Sequence, residues 1–369
     1  MSLLKSIQLL FCLVLLLLAG CAATTVKSVD EPIYWPKAPV EPRYVYITSL
    51  RSEESVRPVS AEDRFKKALT GSAVQPRVLG KPYDVAAGNG LVVVTDTVLR
   101  KGFIFNLRRQ KMYQFGYLGK EGVLTKPLGV ALGSNGQIYI ADVSAKKVFV
   151  YDAFGMFKLS MGSADEFDRP VDVAVSPDGK QVYVVDAGGI GSARHRVVIY
   201  DDKGAKQGEF GRRGEGAGEF NLPTQVAVAP DGTVYVLDAG NFRVQAFSAS
   251  GKFLRAWGKV GRGFGDLARP RGLAVGVDGN VYVTDAAFRN LQVFSPQGQL
   301  LLAIGDSVIA DQPGQYAMPA GVALDELGYV YIIDQAFAKV DVLRQLSEKE
   351  MKQIVELRQW GKSSLRGER

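Results

Sequence analysis

Cysteine and histidine are scarce in this sequence. Its 369 residues include two cysteines, Cys12 and Cys21, and one histidine, His195. Zinc sites draw most of their ligands from these residue types, so a His-His or His-Cys zinc site cannot be built here. A serine-nucleophile triad would need His195 as its base, and no Gly-x-Ser-x-Gly motif accompanies it.

Neither sign of charge is in strong excess. The chain has 45 basic and 38 acidic residues, which gives a formal net charge of +7. This modest excess is compatible with ordinary solubility. It also leaves open an attraction to an anionic surface such as lipid headgroups or a polysaccharide.

The long apolar run lies at the N-terminus. Ile7 to Leu18 follows Lys5 and is short for a membrane span, which needs about 20 apolar residues. This is the layout of a secretory signal. The ending Leu18-Ala19-Gly20-Cys21 resembles the lipobox of bacterial lipoproteins. The resemblance implies a signal peptide over residues 1–20 and a lipid on Cys21, which leaves no free thiol; an uncleaved helical anchor is the alternative.

The segment after Cys21 predicts how the chain is held at the membrane. Residues 22–42 include four prolines and are expected to form a stiff, extended tether. Ala22, rather than Asp, follows the cysteine, which in known sorting systems favours the outer membrane. The expected location is therefore the bacterial cell envelope, with a lipid anchor in the outer membrane.

An internal repeat predicts the fold. Six segments start with proline and run into one pattern, for example PTQVAVAPDGTVYVLD. Successive starts lie 43 to 53 residues apart, at Pro82, Pro127, Pro170, Pro223, Pro270 and Pro319.

Each copy has the pattern of a four-stranded antiparallel sheet. In the fourth copy the strands are expected over Gln225–Ala229, Val234–Leu237, Arg243–Phe247 and Lys252–Trp257. The pair Asp231-Gly232 between the first two is a strong hairpin signal. The second strand is apolar at nearly every position, which fits a sheet covered on both faces.

The repeat, Pro-x-Gly/Asp-Val-Ala-Val through Asp-Gly-x-Val-Tyr-Val-x-Asp, resembles the NHL repeat. The resemblance implies an all-β fold, a six-bladed β-propeller of four-stranded antiparallel blades. The sixth copy lacks a fourth strand, whereas residues 43–50 form an unmatched strand. We therefore expect residues 43–50 to close the ring as the outermost strand of the last blade.

The remaining boundaries follow from this arrangement. Residues 51–81 form a connector with a helix that starts near Ser60, residues 82–346 form the blades, and residues 347–369 form a C-terminal helix and tail. Ser347 and Glu350 predict a capping box for that helix, and Gly361 is expected to end it.

An aspartate recurs at the end of strand two in every blade, which predicts a structural role through hydrogen bonds to loop backbone. The six residues are Asp96, Asp142, Asp186, Asp238, Asp285 and Asp334.

Binding is expected on the face that carries the longer strand 2–3 loops and the links between blades. The third blade has a five-residue insertion there, and basic residues cluster around it. The hypothesis is a partly basic rim that meets an anionic ligand or an acidic protein; the alternative is ordinary solvated loops. The candidate residues are Ser192, Arg194, His195, Arg196, Arg212, Arg213, Lys259, Arg262 and Arg271.

The second residue after each repeat-starting proline is expected near the mouth of the central channel. Three of these are polar, Asp84, Asp172 and Gln225, and they could hold a divalent cation with waters. Structural filling is the alternative.

The sequence therefore predicts a non-enzymatic binding or scaffold propeller, lipid-anchored outside the cytoplasm. Its partner is expected to be an envelope protein or an anionic polysaccharide. Nucleic acid is not expected, because acidic residues interrupt the basic rim, and no cofactor is expected beyond the lipid. The alternatives are a divergent propeller hydrolase or lyase with a divalent cation in the channel, and a structural spacer.

Overall fold

The computed structural model describes residues 32–58, 77–189, 191–305 and 308–364. The propeller belongs to the unit that begins at Tyr34. The predicted signal peptide, Cys21 and the predicted connector helix lie outside the described residues.

Twenty-five strands are present in the described residues. Two precede the blades: β1 (Tyr34–Trp35) and β2 (Tyr44–Leu50). The first blade consists of β3 (Pro82–Gly88), β4 (Leu91–Asp96), β5 (Lys101–Asn106) and β6 (Lys111–Phe115). The second consists of β7 (Pro127–Leu132), β8 (Ile138–Asp142), β9 (Lys147–Tyr151) and β10 (Phe157–Met161). The third consists of β11 (Pro170–Val175), β12 (Gln181–Asp186), β13 (Arg196–Asp201) and β14 (Lys206–Phe210).

The other three blades repeat this order. The fourth consists of β15 (Pro223–Val228), β16 (Val234–Asp238), β17 (Arg243–Phe247) and β18 (Phe253–Trp257). The fifth consists of β19 (Pro270–Val275), β20 (Val281–Asp285), β21 (Asn290–Phe294) and β22 (Leu300–Gly305). The sixth begins with β23 (Pro319–Leu324), β24 (Tyr329–Asp334) and β25 (Lys339–Gln345). All strands within a blade pair antiparallel.

The six sheets form a closed ring. The innermost strand of each blade contacts the innermost strand of the next, and β23 of the sixth blade contacts β3 of the first. The molecule is therefore a six-bladed β-propeller, as the repeats predict.

The core lies between blades. The second strand of each blade is buried along its length, whereas outer strands such as β18 alternate between half-buried and exposed positions. Each of six apolar clusters joins neighbouring blades; Tyr183 and Val236, for example, join the third blade to the fourth. Both faces of the inner strands are thus covered, which explains their uniformly apolar sequence.

The sixth blade is completed from the N-terminus, and this confirms the predicted closure. Strand β2 pairs with β25, so that Tyr44 lies opposite Gln345. One prediction needs correction: the tether was expected to extend to residue 42. Instead β1 adds a fifth strand outside β2, and Trp35 is buried in the core between the fifth and sixth blades.

The recurrent aspartates have the structural role that the sequence predicts. Asp96 accepts hydrogen bonds from the Lys81 N–H before strand one, at 2.8 Å, and from the Leu99 N–H after strand two, at 2.9 Å. The equivalent aspartates of the other blades also accept from the preceding link. They therefore tie the strand 2–3 loops and the links together on one face, called here the loop-rich face.

A helix, α1 (Glu348–Ser364), follows the last blade. The predicted capping box is present, because the Ser347 N–H donates to Glu350 at 2.9 Å and the Glu350 N–H donates to the Ser347 hydroxyl at 3.4 Å. The helix continues past Gly361, contrary to the prediction, and Met351 packs on Val45 and Leu346. No helix in the described part of the chain is long and apolar enough to cross a membrane.

Candidate binding sites

The inserted loop of the third blade is held against the preceding link. The Ser192 hydroxyl donates to the Asp168 carboxylate at 2.5 Å. Arg194 lies 3.4 Å from the same carboxylate and donates to the Asp165 carbonyl at 3.1 Å. Both predicted site residues therefore lie on the loop-rich face, but their polar groups are already engaged within the protein.

His195 does not lie on the rim. It is fully buried, and its Nδ1 accepts a hydrogen bond from the Leu222 N–H at 3.2 Å. The prediction that His195 belongs to an exposed basic rim is therefore wrong for this residue. The imidazole instead joins the inserted loop to the link before the fourth blade.

Three further rim arginines have partners. Arg196 contacts Glu209 at 2.5 Å and Asp186 at 3.5 Å, and its side chain is largely buried. Arg212 lies 2.7 Å from Glu219. The Arg213 N–H donates to the carbonyl of the inserted loop's Ala193 at 3.4 Å. The structure brings these residues together with the insertion, but much of their charge is compensated.

Two consecutive links share one backbone design. Residues 211–220 precede the fourth blade and residues 258–267 precede the fifth, and each is closed by a parallel bridge across its ends. In each, an acidic side chain accepts a glycine N–H: Glu219 from Gly216 at 2.9 Å, and Asp266 from Gly263 at 2.7 Å. We call these the twin links.

The second twin link differs from the first in its exposed groups. Phe264 is 100% exposed and Val260 is 65% exposed, in the places of Ala217 and Arg213 in the first twin link. Lys259 and Arg262 form no ion pair with any described residue, whereas the first twin link neutralises Arg212. The second twin link therefore presents two exposed apolar side chains and two cations without an ion-pair partner among the described residues.

A cavity of about 240 Å³ lies beneath the second twin link, lined by Arg262, Phe264, Phe288, Asn290 and Gln292 among others. In the fourth blade the equivalent of Asn290 is Arg243. Its guanidinium fills the space under the first twin link by donating to two carbonyls, at 2.8 and 2.9 Å. The shorter Asn290 leaves that space open, and its Oδ1 has no partner among the described residues.

Arg271 lies at the centre of the loop-rich face rather than on the rim. Its guanidinium sits 5.7 Å from the ring centre of Tyr83, which projects from the first blade. Tyr83 packs with the buried side chains of Leu128 and Val171 from the second and third blades. These side chains from four blades fill the channel at its loop-rich end.

The three polar inward residues lie just below this layer, and the structure brings them together in one cavity of about 170 Å³. Each accepts a backbone N–H from a neighbouring blade. Asp84 Oδ2 accepts from Val130 at 3.0 Å, Asp172 Oδ2 from Val226 at 2.7 Å, and Gln225 Oε1 from Leu273 at 3.4 Å.

Glycines at the other inward positions make room for the carboxyls. A Cβ at Gly129 would lie 2.0 Å from Asp172 Oδ1, and a Cβ at Gly321 would lie 2.3 Å from Asp84 Oδ1. Since Asp84 bonds to Val130 and Asp172 rests on Gly129, the two carboxyls meet above the second blade. Substituting these glycines would therefore separate or displace the pair.

The two carboxyls hold a proton more tightly than exposed ones do. Burial raises the pKa of Asp84 to about 7. Burial and the neighbouring Asp84 charge raise the pKa of Asp172 well above its usual range. Asp172 Oδ1 receives no hydrogen bond from any described donor, so a proton shared with Asp84 is its natural partner. No group of three or more His, Cys, Asp or Glu among the described residues is arranged to hold a metal ion.

The channel is open at the face opposite the loop-rich one, where the tight turns lie. A cavity of about 430 Å³ occupies this mouth and continues into the inner cavity. The two cavities share their middle layer, Ala87, Leu132, Val175, Val228, Val275 and Leu324. Access to the carboxyl pair is thus from the tight-turn face, which the sequence analysis does not predict.

Sequence reasoning also misses Phe264 and Asn290. The sequence holds a signal for both. Aligning the twin links shows that Phe264 stands in the place of Ala217, and aligning the blades shows that Asn290 stands where the other blades have a lysine or an arginine. Comparing repeats position by position would have identified both.

Comparisons with known proteins support the repeat. Residues 124–151, 220–247 and 267–294 match the model of the NHL repeat. The chain is similar to "Protein brain tumor" of Drosophila melanogaster, with 30% identity over 156 residues, which is 40% of this chain and 14% of that protein. It is also similar to rat peptidylglycine alpha-amidating monooxygenase, with 26% identity over 140 residues, which is 34% of this chain and 14% of that protein.

Among solved structures, a gluconolactonase from Xanthomonas campestris has a similar fold. Its TM-score is 0.55 at 18% identity, and the match covers 73% of this chain and 87% of that one. The chain spans only a small part of the two sequence relatives, and this structural likeness shows the fold alone. The chain thus carries NHL repeats in a six-bladed propeller.

Proposed function

We propose that this NHL-repeat propeller is a non-enzymatic binding and scaffold module that recruits a partner through its loop-rich face. The observation that carries the proposal is the second twin link, where the fully exposed Phe264 is accompanied by Lys259 and Arg262, neither of which has an ion-pair partner among the described residues. Exposed aromatic side chains beside a pocket are typical anchors of protein interfaces. The first twin link, on the same backbone, lacks these groups.

The chemistry of this surface defines the partner. A complementary partner would have an apolar surface to cover Phe264 and Val260. Acidic groups around that apolar surface would pair with the two cations. The cavity beneath the link adds an acceptor, Asn290 Oδ1, for a donor from the partner. An acidic protein segment with a central apolar side chain satisfies all three requirements. An anionic polysaccharide would satisfy the cations but leave Phe264 with only a sugar face to cover.

The proposed setting is the bacterial cell envelope. A lipid on Cys21 would hold the propeller at the outer membrane, and an envelope protein is the proposed partner. Nucleic acid is not proposed, because Glu215, Glu219 and Asp266 interrupt the basic groups of this face and nucleic-acid surfaces need a continuous basic stripe.

Site-specific photo-crosslinking in the native envelope tests this proposal. A benzophenone amino acid replaces Phe264, and the matched control replaces Phe154, which is also exposed but lies in a strand 3–4 turn on the opposite face. The expected result is one discrete adduct from position 264 and none from position 154. The purified partner should then lose at least tenfold in affinity when Phe264→Ala is introduced, since anchor residues contribute about 2 kcal/mol or more.

Two results would overturn it. Equal crosslinking from both positions would mean that the loop-rich face has no special role. Binding of a polyuronate such as alginate that depends on Lys259 and Arg262 but not on Phe264 would assign the surface to polysaccharide instead.

A second candidate is a hydrolase or lyase that uses the channel. The observation that favours it is the pair of Asp84 and Asp172 in an accessible cavity, because a carboxyl with a pKa of about 7 suits general acid–base catalysis. Two carboxylates and one amide form a small donor set for a divalent cation, which usually takes six or more oxygens. Metal-stripped protein whose melting temperature rises on adding calcium or magnesium, and not after Asp172→Asn, would favour this candidate.

A further inference from the structure

The channel is acidic in a chain with a positive net charge. Among the described residues that line its two cavities, four are acidic and none is basic. Asp84 and Asp172 lie at the closed end, and Asp325 and Glu326 lie at the mouth on the tight-turn face. At the closed end Arg271 lies against the Tyr83 ring and does not line either cavity. The potential along the channel therefore favours a cationic ligand.

The wall between the two acidic ends is apolar. The shared middle layer consists of alanine, valine and leucine side chains, named above. Asp84 and Gly88 mark the top and bottom of the first inner strand, and four residues at about 3.3 Å each give a depth of roughly 13 Å. Such a channel accepts a narrow aliphatic stem and excludes a folded chain, so the ligand must be small enough to enter whole.

The closed end offers one acceptor that no described donor reaches. Asp172 is 2% exposed, its Oδ1 has no partner among the described residues, and it lines the inner cavity. Asp84 Oδ1 and Gln225 Oε1 lie in the same cavity. A ligand that supplies N–H donors here would satisfy Asp172 Oδ1 in place of the shared proton.

We propose that the channel is a binding site for a small primary alkylamine, which enters from the tight-turn face and places its ammonium group between Asp84 and Asp172. The three N–H donors match Asp172 Oδ1, Asp84 Oδ1 and Gln225 Oε1. The alkyl stem lies along the apolar middle layer. This site is separate from the second twin link, so the proposal does not depend on the proposed partner.

An ammonium ion fits this site better than a metal ion. Calcium takes six to eight oxygens and magnesium demands octahedral geometry, whereas three acceptors complete the donors of one ammonium. The apolar stem of an alkylamine also uses the channel wall, which a bare ion would leave uncovered.

Binding requires that the carboxyl pair give up its shared proton. The reaction is R–NH₃⁺ plus the singly protonated pair, giving the ammonium bound to two carboxylates plus one H⁺ released to solvent. Charge balances, with zero on each side. The two carboxylates then share the ammonium in place of the proton, and no bond to the amine nitrogen forms or breaks.

Isothermal titration calorimetry on the full-length protein tests the proposal. The probe is n-butylammonium chloride at pH 6, with n-butanol as the uncharged control, in two buffers with different ionisation enthalpies. The expected result is one-site binding of the amine alone with release of close to one proton. Asp172→Asn should weaken binding at least tenfold, whereas Asp202→Asn in an exposed turn should not change it.

A second variant keeps the test independent of the carboxyls. Val228→Phe narrows the middle layer without altering the acidic groups, and it should also abolish amine binding. Equal binding of butanol and butylammonium, or full affinity in both Asp172→Asn and Val228→Phe, would overturn the proposal. Stoichiometric calcium binding at the same carboxyls that excludes butylammonium would also overturn it, since the site would then belong to a metal.

Discussion

The buried carboxyl pair predicts an unusual response to the substitution Asp84→Asn. An asparagine amide oxygen can still accept from the Val130 N–H, as Asp84 Oδ2 does at 3.0 Å. Its NH₂ group can donate to Asp172 Oδ1, which has no partner in the described structure. The substitution therefore removes a buried charge and supplies a missing donor, so we expect it to stabilise the protein at alkaline pH.

The magnitude follows from the pKa shift. Burial raises the pKa of Asp84 from 3.8 to about 7, so the folded state binds this proton more tightly than the unfolded state. Its contribution to stability is complete below pH 4 and is lost as the pH rises through 7. At 1.36 kcal/mol per pKa unit the loss is about 4 kcal/mol, or about 8 °C in melting temperature at roughly 2 °C per kcal/mol. Asp172 shifts in the same direction.

Thermal unfolding of wild type and variant at pH 5 and pH 8 measures this. We expect the melting temperature of the variant relative to that of the wild type to rise by roughly 5 °C between pH 5 and pH 8, since about two pKa units of the shift lie above pH 5. Asp178→Asn, in an exposed hairpin, serves as the control and should follow the wild type at both pH values. A lower melting temperature for Asp84→Asn at pH 8, or parallel pH dependence of variant and wild type, would refute the reasoning.

Three further predictions concern the ring itself. Trp35→Ala should lower the free energy of unfolding by about 3–5 kcal/mol in chemical denaturation, because this side chain is buried against the fifth blade; no change would contradict a role for β1. Gly129→Ala should cost about 1–3 kcal/mol through its clash with the inward carboxyl, whereas Gly208→Ala, which meets nothing, should be neutral; equal effects would contradict this. Arg243→Met should cost about 3–5 kcal/mol by leaving the carboxylate of Asp238 buried without its 2.8 Å partner, and a neutral result in the same assay would contradict the ion pair.

Much of the fold can be predicted from the sequence because the pattern of one blade is repeated six times. In the fourth blade the predicted and observed strand ends differ by two residues at most, and Arg243–Phe247 matches fully. The closure by residues 43–50 could be predicted because the sixth repeat lacks a fourth strand and residues 43–50 form a strand that belongs to no repeat. The short β1 could not, since its two residues carry no periodicity and only Trp35 indicates burial.

The candidate sites were harder to predict because they depend on which side chains are buried and on which partners their polar groups have. A sequence shows that His195 and its neighbours are basic, but not that the imidazole is enclosed while Arg194 is held by Asp168. Likewise, the inward positions of Asp84 and Asp172 follow from the repeat. Which end of the channel is open depends on how Tyr83 fills the other end, and this is a matter of three-dimensional packing.

The closure of the ring has a consequence for synthesis. Ser49 and Asp341 are joined by a hydrogen bond across 292 residues of chain. At about 5–20 residues per second, a ribosome takes roughly 15–60 s to make the partner of a strand that has already emerged. For that time β2 presents an unpaired edge, to which another chain or a chaperone has access. Strand β25 must therefore pair with β2 before another chain does. The yield of closed rings should depend on the relative rates of these two pairings.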